Sequence, residues 1–250
     1  MVAEITPMAA ERIEFYGRRL AVGDRITMCP DVVCGRCYEC THVLGYVWCE
    51  NSEYALEGFN SGDTVVVIGT GPLGLLHVAK ADMMGAGQII ATDLSEHRLA
   101  WARRCGAEHV LNASTTTAEE RVARVRELTG GRGADVVLHM ANTPKSFVEG
   151  IEMLKRGGMM LEMGNFADTG EISLNVHRHV CSKNIRLVGL TNHPSTGYGP
   201  ALRLLERYAD RYPFAEMVTH EFGLHQADDA LHTSMDPRSM KVAIVPGLTT

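Results

Sequence analysis

Five residues, Thr64–Ile68 (TVVVI), run without a polar break into a glycine-rich turn, Gly69-Thr70-Gly71-Pro72-Leu73-Gly74. A strand that does not alternate between apolar and polar residues has no face to give to water. It fits a parallel sheet covered by helices on both sides. Pro72 stands where a helix tolerates proline, in its first turn, where the missing N–H has no intrahelical partner anyway. The segment therefore predicts a buried strand, a tight turn and a helix over Pro72–Met84.

The same alternation continues. Ile89–Thr92, His109–Leu111, Asp135–His139, Met159–Met163 and Ile185–Leu190 read as strands. Glu96–Cys105, Ala118–Thr129 (ended by Gly130-Gly131) and Ser146–Leu154 read as the helices between them. Six such strands predict an α/β fold with a doubly wound, parallel, six-stranded Rossmann sheet, spanning about residues 59–195. Beyond it the pattern predicts a helix at about 199–211, an extended stretch at Val218–Phe222, a helix at about 225–235 and a strand at Lys241–Val245. Residues 1 to about 58 lack helical periodicity, and Ala21–Thr27 reads as a turn entering a strand.

In the strand-turn-helix context the glycines have separate tasks. Gly69 makes the turn, Gly71 lets the backbone approach a pyrophosphate, and Gly74 lets helix and strand pack closely. The anion rests on free N–H groups at the helix start. The competing reading is a purely structural glycine turn in another α/β protein. Asp93 closes the second strand, nineteen residues after Gly74. A carboxylate there accepts from both hydroxyls of an adenosine ribose and repels a 2′-phosphate, which favours NAD over NADP. Arg98, five residues on, lies either near the adenine end or on the solvated surface.

A second motif precedes the turn: Cys34-Gly35-Arg36-Cys37-Tyr38-Glu39-Cys40, then Cys49 after eight residues. Four thiolates at such steps can close on one tetrahedral ion, with Zn–S distances of about 2.3 Å and no position left for water. Spacing alone leaves an iron–sulfur cluster open as well. Cys29, Cys105 and Cys181 read as packing or surface residues. The scattered histidines (His177, His179, His220, His225, His232) read as surface or core-edge residues, and Met153, Met159, Met160 and Met163 as core filler.

Composition narrows the function classes. The net charge of −6 argues against a broad nucleic-acid surface, since phosphate binding needs clustered Lys and Arg. Within the cysteine lobe Arg36 is outweighed by Glu39 and Glu50. No run of 18 apolar residues suggests a membrane span, and Met1–Ile5 does not resemble a signal peptide. Seven cysteines, four of them in a metal pattern, suit a reducing compartment, so a cytoplasmic protein is expected.

The ordered pair of cysteine lobe and V-V-V-I-G-T-G-P-L-G strand-turn resembles the zinc-containing medium-chain alcohol dehydrogenases. The likeness runs over residues 22–50 and 60–165 and continues more weakly to the end, through Thr219-His220 and Lys241–Pro246. It implies an NAD domain flanked by a mostly β, GroES-like catalytic domain. On this scheme residues 1–58 belong to the β domain with its zinc lobe at 29–50, and 196–250 return to it. It implies a structural zinc on Cys34, Cys37, Cys40 and Cys49, in preference to iron, and a cofactor on Gly69, Gly71, Pro72, Leu73, Gly74 and Asp93. Backbone near Ala141 and Gly164-Asn165 would line the nicotinamide side, and Lys241 would reach the pyrophosphate.

The implied reaction is hydride transfer between an alcohol or carbonyl substrate and NAD, in a homo-oligomer (dimer or tetramer). The family's second, catalytic zinc needs an early cysteine, a Gly-His-Glu histidine and a third ligand before the cofactor domain. Met1–Ile5 resembles the strand just after that histidine, and only fourteen residues separate Cys49 from Thr64. The chain thus reads as an internally shortened member whose catalytic residues are unassigned. The alternative function is an NAD-binding remnant without redox activity.

Overall fold

The computed structural model describes residues 2–4, 21–22, 25–27, 60–191 and 197–248. The cysteine lobe lies outside the described residues. The chain forms two compact units: Met1–Cys49 with His193–Tyr198, and Glu50–Asn192 with Gly199–Thr250. In the first, β1 (Val2–Glu4) pairs antiparallel with β2 (Arg25–Thr27), Ala3 opposite Ile26.

The second unit holds the parallel sheet. Its strands are β3 (Thr64–Ile68), β4 (Gln88–Asp93), β5 (His109–Asn112), β6 (Ala134–His139), β7 (Leu154–Glu162) and β8 (Arg186–Gly189). They lie in the order β5-β4-β3-β6-β7-β8, and every neighbouring pair is parallel. The helices between them are α1 (Pro72–Met83), α2 (Glu96–Arg104), α3 (Ala118–Leu128) and α4 (Pro144–Met153). Val65 and Val67 pack on one face with Leu75 and Val78 of α1 and Trp101 of α2. Val66 and Ile68 point the other way, to Val125 of α3 and Ile151 of α4. The unalternated TVVVI run is thus buried on both sides, as its composition requires. Local signals set the helix starts: the Ser95 hydroxyl accepts from Arg98 N, and Thr117 and Glu120 form a reciprocal capping box.

β7 begins five residues before the expected Met159, directly where α4 ends. Ala134 pairs with Leu154, the register shifts, and pairing resumes at Val136 and Met159. The irregularity spans Lys155-Arg156-Gly157-Gly158, whose polarity hid the strand. A short helix, α5 (Val176–His179), carries no apolar periodicity and was not expected.

The helix expected at about 199–211 is shorter: α6 spans Tyr198–Arg207. Beyond Arg207 the chain closes in i→i+3 turns, Ala209 N on Glu206 O and Arg211 N on Tyr208 O, instead of continuing the α-helical ladder. β9 (Val218–Phe222) and β10 (Lys241–Ile244) make a separate two-stranded parallel sheet, bridged by α7 (Ala227–Ser234). From Gly199 onward this tail clusters with the Rossmann sheet. Tyr212, Met217 and Met240 enter the same core as α1, and the Tyr212 hydroxyl donates to Asp82 Oδ2 at 2.6 Å.

Candidate dinucleotide site

The strand order turns back between β3 and β6, so their C-terminal ends open a crevice at the topological switch point, where such sheets bind ligands. Three backbone segments meet there. Gly69, at φ +89°, lies so close to the segment after β6 that a Cβ would come within 2.9 Å of Ala141 N. From the β7 side, a Cβ on Gly164 would fall 2.3 Å from Ala141 O. On the α1 side, a Cβ on Gly74 would fall 1.9 Å from Gly69 O. Gly71 is the exception: a Cβ there meets nothing within 4 Å. Beside it α1 starts with Pro72, no side-chain cap and no acidic residue in its first turn. Open space at Gly71, next to uncapped N–H groups and the positive end of a helix, suits an anion.

Asp93, at the end of β4, holds this turn in place. Its Oδ2 accepts from Thr70 N at 2.7 Å and from Thr70 Oγ1 at 3.1 Å, and its Oδ1 accepts from Ser95 N at 2.9 Å. Thr70 is fully buried. A carboxylate has about four acceptor sites, so one remains, on Oδ1. The sequence gives no hint that Thr70 and Ser95 claim the others. Arg98 stands one turn into α2 with its Nε buried and without an acceptor among the described residues. That distinguishes it from a freely solvated charge.

The remaining expected site residues fall into different places. Gly164 is buried at the crevice beside Ala141. Lys241 is exposed on β10, in the two-stranded sheet, and no described hydrogen bond or ion pair joins it to the glycine turn. Cys34, Cys37, Cys40 and Cys49 are outside the described residues. Among the described residues no three His, Cys, Asp or Glu side chains cluster as metal ligands. Cys105 is buried, and burial pushes its thiol pKa up to about 11, which suits packing rather than reactivity. His179 is buried with Nδ1 accepting from Asn175 N and Nε2 facing Glu152, a satisfied core-edge histidine.

One cluster escaped sequence reading. His139 ends β6 fully buried, with Nε2 2.7 Å from Ser146 Oγ and Nδ1 2.5 Å from Glu162 Oε2 at the end of β7. The Nδ1–Oε2 approach is close, but neither atom has a hydrogen-bond partner among the described residues, so it is a contact rather than a formed bond. Burial disfavours the Glu162 carboxylate, yet His139 and the Asn165 amide groups outweigh it and hold its pKa below the ordinary value. A cavity of about 310 Å³ opens beside the cluster, against Pro144, Phe147, Glu162 and Asn165. Only the spacing of strand ends could have signalled this group, because His139, Ser146 and Glu162 are 7 to 23 residues apart in the chain.

Sheet order, turn and crevice together define the Rossmann class of α/β fold. The chain belongs to the zinc-binding dehydrogenase family, whose model matches residues 72–207, more than half of its length. It is 37% identical over 169 residues to a 5-exo-hydroxycamphor dehydrogenase of Pseudomonas putida, covering 68% of this chain and 46% of that protein. It is 33% identical over 200 residues to a sorbitol dehydrogenase of Halalkalibacterium halodurans, covering 79% and 56%. The chain thus spans about half the length of these curated relatives. An alcohol dehydrogenase structure from Thermotoga maritima matches with a TM-score of 0.83 over 94% of this chain and 80% of that one, at 24% identity, a likeness of fold. Among the described residues no helix is long and apolar enough to cross a membrane.

Proposed function

We propose that this chain is an oxidoreductase of the zinc-type alcohol dehydrogenase kind, moving a hydride between an alcohol or carbonyl substrate and NAD. The observation that carries the reading is the glycine turn locked to Asp93 at the switch point, with open space at Gly71. The pyrophosphate would rest at Gly71 on the first turn of α1, flanked by Pro72 and Leu73. Asp93 would accept one ribose hydroxyl on its remaining Oδ1 site, where a 2′-phosphate would be repelled. Arg98, with its orphaned Nε, would serve the adenine end. When bound, the nicotinamide supplies the hydride acceptor. Cys34, Cys37, Cys40 and Cys49 would hold a structural zinc, and Lys241 would approach the pyrophosphate. No catalytic residue is assigned. The two relatives are named for a secondary alcohol and a polyol, which makes these the first substrates to try. A homo-oligomer in the cytoplasm completes the proposal.

The test joins three readings on the purified chain: zinc per chain, NAD binding by calorimetry, and NAD reduction with secondary alcohols and polyols. One zinc, NAD binding and turnover support the proposal. NAD binding without turnover on any alcohol moves the chain to the non-redox alternative, and no NAD binding sinks both. Asp93→Ala is expected to weaken NAD binding about ten- to a hundredfold, the worth of hydrogen bonds to a charged group. It should also erase the preference over NADP. An unchanged NAD-to-NADP ratio would place the ribose elsewhere.

A further inference from the structure

This inference rests on the dinucleotide reading and concerns how the protein chooses between NAD and NADP. Three donors clamp the Asp93 carboxylate between the glycine turn and the start of α2. Two of them, Thr70 N and Ser95 N, are backbone amides that any residue but proline would supply. The third belongs to a side chain, the Thr70 hydroxyl, 3.1 Å from Oδ2.

That hydroxyl has little freedom. Thr70 is fully buried, and its neighbour Gly69 ties the turn to β4 by donating its N–H to Thr92 O at 2.8 Å. A hydroxyl has one proton to give. Among the described residues the acceptor it meets is Asp93. With Thr70 N at 2.7 Å on the same oxygen, both acceptor sites of Oδ2 are filled. Oδ1 takes Ser95 N at 2.9 Å and keeps the one open site. The carboxylate therefore offers a ligand a single acceptor, on one defined oxygen.

Without the hydroxyl the count changes. Oδ2 would keep a lone pair facing a buried side chain that cannot donate, and a buried acceptor without a donor is costly. Rotation about the Cβ–Cγ bond of Asp93 towards water relieves that cost and takes Oδ1 out of line. The two backbone amides would still anchor the residue, one on each oxygen.

We propose that Thr70 is the positioning residue for coenzyme choice. Its hydroxyl sets the Asp93 carboxylate so that Oδ1 accepts a ribose hydroxyl and a 2′-phosphate meets a fixed negative charge. Thr70 acts through Asp93 and not on the coenzyme itself.

Calorimetry on the purified chain, with NAD and NADP as probes, tests it. Thr70→Val keeps the branched shape and removes the hydroxyl. The ratio of NAD to NADP affinity is expected to fall about three- to tenfold, the worth of one hydrogen bond. Thr70→Ser should restore the parent ratio. Added to Asp93→Ala, Thr70→Val should leave the ratio where Asp93→Ala alone puts it. An unchanged ratio in Thr70→Val, even with a lower melting temperature, would reduce Thr70 to packing and overturn the proposal. A loss that Thr70→Ser does not restore, or that persists without Asp93, would overturn it too. If Thr70→Val does not fold, Thr70→Ala decides by the same ratio. A parent that binds NADP as well as NAD sinks the proposal outright. A parent that binds neither probe removes the dinucleotide reading itself, before any variant is read.

Discussion

Gly74→Ala is expected to weaken NAD binding by about a hundredfold or more and to lower the melting temperature. The new Cβ would lie 1.9 Å from Gly69 O and 2.9 Å from Gly69 C, and backbone atoms cannot rotate aside as a flexible side chain can. The far side of Gly69 is crowded as well, since a Cβ there would lie 2.9 Å from Ala141 N and 3.0 Å from Met140 C. The clash must open the turn or lift α1, at an overpacking cost of about 1–3 kcal/mol. Either movement misplaces the N–H groups meant for the pyrophosphate. Gly71→Ala is the matched control. Its Cβ meets no protein atom within 4 Å, so the melting temperature should hold while NAD binding falls. A Gly71→Ala chain that binds NAD like the parent would show that the pyrophosphate does not approach this residue.

Breaking the ion pair between α3 and α4 should have the largest effect on stability. Arg121 meets Glu149 through two parallel bonds, Nε to Oε1 at 2.6 Å and Nη2 to Oε2 at 2.7 Å, with side chains only 9% and 8% exposed. Its Nη1 donates to Thr116 O and Thr116 Oγ1, which ties the loop after β5 to the same pair. Glu149→Ala leaves a buried guanidinium without its counter-charge and should cost about 3–5 kcal/mol in denaturant unfolding. The double change Arg121→Met with Glu149→Leu should recover most of that loss, because it removes both desolvated charges together. A Glu149→Ala chain as stable as the parent would mean that water reaches the arginine.

The fold was legible wherever residue type alone dictates environment. Thr64–Ile68 could be nothing but a doubly buried strand, and Thr117 with Glu120 marks the start of α3 without any tertiary knowledge. Legibility failed where polarity and structure part company. Lys155–Gly158 is polar yet lies within β7 at a register shift, and α6 gives way after Arg207 to i→i+3 turns that no residue type there announces. In the candidate site, the glycine turn and Asp93 were readable because their chemistry is local to one strand-turn-helix unit. Thr70 and Ser95 as holders of Asp93 were not, since hydroxyl and amide donors are everywhere in a sequence. His139, Ser146, Glu162 and Asn165 come together only because β6 and β7 are neighbours in the sheet.

The meeting of Gly69, Ala141 and Gly164 has a mechanical side. Three loops meet so closely that a methyl group added at Gly69 or at Gly164 would strike the backbone of Ala141, which leaves no slack to absorb a hinge. The crevice floor should therefore behave as one stiff plate. Any rate-limiting motion in loading or releasing a dinucleotide would have to come from parts of the protein that border the plate. Amide hydrogen exchange at Gly69, Ala141 and Gly164 should then be slow and nearly the same with and without NAD.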